Sequence, residues 1–123
     1  MTGARAKLGA LGEAAAEAHL LALGFRLVAR NHRCPRGEVD LIMEQGELLV
    51  FVEVRTRASE AFGAPSETIS AGKRRRIVAA ARDFLARRRG PDRELRFDVL
   101  SVVDAPGAPH IEHIPAAFDA DDR

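Results

Sequence analysis

Two acids stand inside runs of apolar residues. Asp40 interrupts Val39-Asp40-Leu41-Ile42, and Glu53 interrupts the run from Leu48 to Val54. A carboxylate in a segment that is otherwise built for burial is costly unless something compensates it. A bound metal ion or a cationic partner does that. Arg55 lies two residues beyond Glu53 and so projects from the same side of a strand. Two carboxylates within reach of one point can hold a divalent cation.

Whether they are within reach depends on the elements that carry them. Both runs are rich in β-branched and aliphatic residues, and Gln45-Gly46 separates them, so they read as two strands of a hairpin. With Gln45 and Gly46 as the central turn residues, Ile42 faces Leu49, Asp40 faces Phe51 and Glu38 faces Glu53. Side chains alternate along a strand, so Glu38, Asp40, Glu53 and Arg55 share one face. Val39, Leu41, Val50, Val52 and Val54 take the other. Asp40 and Glu53 become diagonal neighbours, roughly 7–8 Å apart at the backbone. A slip of one residue would send them to opposite faces.

The rest of the chain supplies a frame. Ala4 to Leu23 lacks proline and is rich in alanine, which predicts a helix with Leu8, Leu11, Ala15, Ala18 and Ala22 as its apolar stripe and Gly24 as its stop. Gly9 and Gly12 weaken that helix unless close packing needs them, and Glu13 sits beside them. Phe25 to Asn31 predicts a first strand, and His32 to Gly37 a loop. Thr56 to Thr68 reads as a surface loop. Ser70 is placed to cap a second helix from Ala71 to about Arg88, with Ile77, Ala80, Ala81, Phe84 and Leu85 facing inward. Leu95 to Val103 predicts a fourth strand, and His110 to Ile114 a short edge strand.

The order is helix, three strands, helix, strand, with an extra C-terminal edge strand. That is a mixed α/β fold in which the second helix carries a right-handed crossover to a parallel fourth strand. One domain over residues 1–118 is expected, followed by a frayed acidic tail at 119–123.

Composition narrows the function classes. At 123 residues, 46% hydrophobic and 30% charged, the chain matches an ordinary globular domain. It shows no apolar run long enough to span a bilayer and no secretory leader, so a cytoplasmic protein with no membrane association is expected. The single cysteine, Cys34, excludes an internal disulfide, and no Cys/His set has zinc spacing. Net charge is only +1, yet Lys73, Arg74, Arg75, Arg76, Arg82, Arg87, Arg88 and Arg89 crowd one segment with Asp83 as its one acid. Such a segment forms a local phosphate-attracting surface. Trp and Tyr are absent, which excludes an aromatic platform for stacking bases.

An acid on one strand, a turn, and Glu-x-Arg on the next resemble the Asp…Glu-x-Lys pattern of the restriction-endonuclease-like (PD-(D/E)xK) superfamily. More closely, the chain resembles the YraN family of small bacterial proteins placed there. The matching residues are Gly9-Ala-Leu-Gly12-Glu13, Asn31-His-Arg33, Gly37-Glu-Val-Asp40-Leu-Ile42, Phe51-Val-Glu53-Val-Arg55-Thr-Arg57, Gly63-Ala-Pro65, Lys73 and Arg96-Phe-Asp98-Val. They run in one order from Leu8 to Val103.

The resemblance implies a restriction-endonuclease-like core, a mixed β-sheet flanked by two helices. It implies Mg²⁺ or Mn²⁺ held by Asp40 and Glu53, with the Val54 carbonyl as a third ligand, and hydrolysis of a phosphodiester. Glu13 would complete the acid cluster or orient a water. Lys73, Arg74, Arg76, Arg57 and Arg33 would meet nucleic acid, DNA in the first instance, and resolvase-type relatives imply a homodimer. Arg55 stands where the superfamily has lysine. Lysine can lose a proton when buried, whereas arginine stays charged and can instead clamp a phosphate through two hydrogen bonds.

Two other readings fit the same residues. One is a nucleic-acid-binding module of the same fold without catalysis. The other is a structural or protein-interaction domain in which Arg55, Arg33 or Arg57 pairs with the acids.

Overall fold

The computed structural model describes residues 3–58, 69–88 and 90–121. The elements run α1 (Ala4–Ala22), β1 (Arg26–Cys34), β2 (Gly37–Gln45), β3 (Leu48–Arg57), α2 (Ala71–Arg87), β4 (Glu94–Val103) and β5 (His110–Phe118). The strands form one sheet in the order β1-β2-β3-β4-β5. β1, β2 and β3 are antiparallel, β4 is parallel to β3, and β5 returns antiparallel. This is the mixed α/β order expected from the sequence, with the fifth strand present. β5 is longer than His110–Ile114. It runs on to Phe118, which is buried and stacks on Phe97. The surface loop expected over Thr56–Thr68 falls largely outside the described residues, as do its Gly63-Ala-Pro65 motif and Arg89.

The helices cover opposite faces. Ala16 and Leu20 of α1 pack on Leu41, Met43, Val50, Val52, Leu100 and Val102. Ile77, Val78, Ala80 and Ala81 of α2 pack on Val39, Ile42, Leu49, Phe51, Phe97 and Val99. The central strands are therefore buried on both sides, which explains their continuous apolar runs. The inward stripe of α1 is Gly12, Ala16 and Leu20 rather than the expected one, and Leu11 is 66% exposed. The cause is Gly12, where a Cβ would collide with the side chain of Thr56. Only glycine lets α1 lie this close to β3. Gly37 plays the same part for α2, since a Cβ there would strike the Arg76 carbonyl.

Two local departures matter for the site. The hairpin turn is Gly46-Glu47 rather than Gln45-Gly46: Gln45 pairs with Leu48 and Ile42 with Phe51. Gly46 has φ +58°, at the first central position of the turn, where only glycine is at ease. The register is thus moved by two residues, which leaves the alternation of Leu41, Ile42 and Met43 against β3 as expected. The second departure lies at Asn31. β1 is a strand through Cys34, so residues 32–34 are not loop, and the turn is Pro35-Arg36. Asn31 has φ +50°, and Arg30↔Leu41 and His32↔Val39 flank it. Across this kink the faces exchange. Leu41 packs under α1, whereas Val39 joins Ile42 under α2. The expected grouping of Val39 with Leu41 and Val50, and of Glu38 with Glu53, does not hold. A bulge between Leu27 and Ala29 likewise sends Ala29 to the α2 side, away from Phe25 and Leu27.

Candidate metal centre

Continuing the observed register beyond Leu41↔Val52 brings Asp40 opposite Glu53. There the β2–β3 ladder ends, and Asp40 Oδ2 accepts a hydrogen bond from the Val54 N–H at 2.8 Å in place of a backbone carbonyl. The Glu53 side chain is only 7% exposed, and its Oε2 lies 2.9 Å from Lys73 Nζ, reaching down from the first turn of α2. Ser70 fixes that turn, its side chain accepting from the Lys73 N–H.

The two carboxyls also hydrogen-bond each other. Desolvation pushes both upward, and the Asp40 charge pushes Glu53 further, up to about 7, against the pull of Lys73. Asp40 is raised as well, with desolvation ahead of the opposing Val54 N–H. A buried carboxyl and a half-buried one this close cannot both be ionised cheaply, which is why both pKa values rise.

Glu13 enters from α1. Its pKa is raised by desolvation and then by the Asp40 charge, while a hydrogen bond to Asn31 pulls it down. The kink at Asn31 thus serves Glu13, a link that sequence reasoning missed. An Asn in a strand next to a required acid is the signal it left. Glu13 does not complete a tight ligand set: among the described residues, no three His, Cys, Asp or Glu side chains gather closely enough to hold a metal ion. The donor set fits a hard divalent ion as a pair of carboxylates with open positions left for water, the usual manner of Mg²⁺. The contact shown by Val54 is its N–H on Asp40.

The expected basic residues separate. Arg55 is half-buried on β3 beside Ser101 of β4, and alternation keeps it on the Glu53 side. Lys73 is the cation on Glu53. Arg33 closes instead on Glu38 at 2.6 Å and is 73% exposed. Arg57 lines a 420 Å³ groove with Glu13, Val54 and Thr56. Arg74 and Arg76 line a different hollow on α2. Lys73 as the partner of Glu53 was not legible, because it depends on where the crossover sets α2.

A second buried acid lies on β4. Asp98 is 0% exposed and takes both nitrogens of the Arg96 fork, His113 Nε2 and the Ala116 N–H, at 2.8–3.0 Å. Burial alone would raise its pKa, but these four bonds outweigh it and hold the carboxyl below the usual range. The same signal, an acid within an apolar run, marks it in the sequence.

No described helix is long and apolar enough to cross a membrane. Residues 12–102 match the model of the uncharacterised protein family UPF0102. The chain is 53% identical over 119 residues to a UPF0102 protein of Anaeromyxobacter dehalogenans, covering 97% of this chain and 89% of that one. It is 47% identical over 102 residues to a UPF0102 protein of Moorella thermoacetica (83% and 85% covered) and 44% identical over 117 residues to one of Nocardia farcinica (94% and 92% covered). These matches span the site from Gly12 to Val102, and the chain belongs to the UPF0102 family.

Proposed function

We propose that this chain is a metal-dependent phosphodiester hydrolase of the restriction-endonuclease-like type that acts on DNA. The observation that carries the reading is the Asp40–Glu53 pair, two acids crowded together at the end of the β2–β3 ladder with one lysine beside them. Bound Mg²⁺ or Mn²⁺ would supply charge neutralisation at a phosphate and acidification of water. Asp40 and Glu53 would hold it, with the Val54 carbonyl as a third donor.

The chain's own groups have separate tasks. Lys73, which sits on Glu53 at 2.9 Å, would be free to turn to the phosphate once a divalent ion took over the Glu53 charge. It provides the ammonium that β3 lacks at Arg55. Arg55 grips two phosphate oxygens through its planar fork. Glu13, its pKa raised by burial and by the Asp40 charge, orients water or accepts its proton. The Asp40 bond to the Val54 N–H holds the carboxylate still, so little reorganisation accompanies the reaction.

The test is cleavage of branched, nicked and linear DNA with Mg²⁺ or Mn²⁺, comparing the parent protein with Glu53→Gln and Glu53→Ala. Cleavage by the parent, lost by at least a hundredfold in both variants, supports the proposal. Equal cleavage by the variants would mean a contaminant. The second reading, a binding module without catalysis, is favoured by Arg55 in the lysine position. It predicts metal-independent, salt-sensitive DNA binding with every substrate intact.

A further inference from the structure

The structure points to a second site on the other side of α2. A hollow of about 620 Å³ is lined by Arg36 from the β1–β2 turn, by Arg75, Arg76 and Arg82, and by Asp119 and Asp121 just beyond β5. Arg74 joins the lining. We infer that this hollow takes the phosphate chain of a nucleic acid and that the chain's own Asp119–Asp121 segment competes for it. The nucleic-acid ligand follows from the proposed function; the competition is a separate claim.

Three observations carry it. The lining holds five arginines against two aspartates, and Arg36, Arg75, Arg76 and Arg82 are exposed at the surface. Arginines at the start of α2 work against its dipole, with no acid in the first turn to offset them, so helix stability does not account for them. Their convergence with Arg36 is built in. Gly37 allows the β1–β2 turn to touch the Arg76 carbonyl, which seats Arg36 at the rim.

The apolar part of the lining is Val78 and Ala79, and no aromatic side chain is among the lining residues. A ligand is therefore gripped by its backbone charge rather than by its bases. Lys73, one residue before Arg74, points to Glu53, so the hollow and the carboxylates lie around one helix roughly 10 Å thick. A strand held in the hollow would lie close to the reactive centre. The exposed Asp119 and Asp121 occupy the same hollow with the charge sign of a phosphate. Any polyanion entering must displace them or accept their repulsion.

The experiment measures binding of a fluorescent 20-base-pair DNA to the full chain in EDTA, where cleavage plays no part, across a salt series. D119N/D121N should bind three- to tenfold more tightly. E47Q/D92N removes the same charge from exposed acids at the far end of α2 and should change affinity less than twofold. R75A/R82A should weaken binding at least tenfold and flatten the salt slope by about two, and R75K/R82K should restore most of it.

If D119N/D121N binds as the parent does, or E47Q/D92N tightens binding equally, the competition is overturned. If R75A/R82A keeps the parent's affinity and salt slope, the hollow is not the site. Binding is read in EDTA and cleavage in Mg²⁺, so loss of cleavage and loss of this site are read separately.

Discussion

Asp98 and Glu53 are buried acids on neighbouring strands of one sheet, Glu53 with the half-buried Asp40 against it, and the two places end in opposite electrostatic states. Asp98 meets an arginine fork, a histidine and a backbone N–H, and its carboxyl is held below the usual range. Asp40 and Glu53 meet one backbone N–H, one lysine and each other, and both are pushed up. Burial is common to both places. What differs is the supply of positive charge and donors. Asp98 is a completed joint between β4 and β5, whereas the Asp40–Glu53 place is short of charge, and that shortage is what a divalent ion would fill.

Breaking the completed joint should cost most. Asp98→Ala leaves the half-buried Arg96 and His113 without their anion and frees the Ala116 N–H, at φ +51° in β5. A loss on the order of 3–5 kcal/mol is expected in urea denaturation. A loss below about 1 kcal/mol would mean the cluster is not a joint. Gly12→Ala comes next. Overpacking against Thr56 outweighs the gain in helix propensity, for a net loss of roughly 1–2 kcal/mol. Because α1 carries Glu13, the same change should also lower any cleavage activity.

Removing an acid from the charge-poor place should act in the other direction. With Glu53 raised from 4.5 to about 7, the folded chain keeps a proton that the unfolded chain has already released. The stability from this group is full below pH 4.5 and lost as pH rises through about 7. The shift corresponds to at most about 3 kcal/mol, and less with water near the half-exposed Lys73. Glu53→Gln should abolish that pH dependence, so that in metal-free buffer it is more stable than the parent at pH 8, by about 1–2 kcal/mol. Equal pH profiles of melting would contradict the raised Glu53 pKa.

Lys73→Met should give the smallest effect. Lys73 pulls the Glu53 pKa down, so its removal should move the stability midpoint to higher pH and change stability by a few tenths of a kcal/mol, as for an ion pair exposed on one side. An unchanged midpoint would mean that the contact is not held in solution.

The sequence displayed the parts of this contrast that depend on parity. Asp40 and Glu53 could be put on one side of the sheet because a register error of two residues leaves alternation intact. β4 lay parallel to β3 as the crossover rule requires. The face exchange at Asn31 was hidden because a single left-handed residue leaves no periodic trace. The α1 stripe was misplaced because that helix is alanine-rich all round, and only the approach to Thr56 at Gly12 selects a face. Lys73 read as one of a basic run. Its contact with Glu53 belongs to tertiary geometry, as do the meetings of Asp98 with His113 across the β4–β5 ladder and of Asn31 with Glu13.

The charge shortage itself is tested most directly by calorimetric titration of Mn²⁺ into the parent, Asp40→Asn and Glu53→Gln proteins at pH 6 and pH 8. The parent should bind one ion more tightly at pH 8 than at pH 6, with proton release at pH 6 revealed by buffers of different ionisation enthalpy, and both variants should lose that binding. No heat from the parent at pH 8 with millimolar Mn²⁺, or binding that survives both substitutions, would contradict the account.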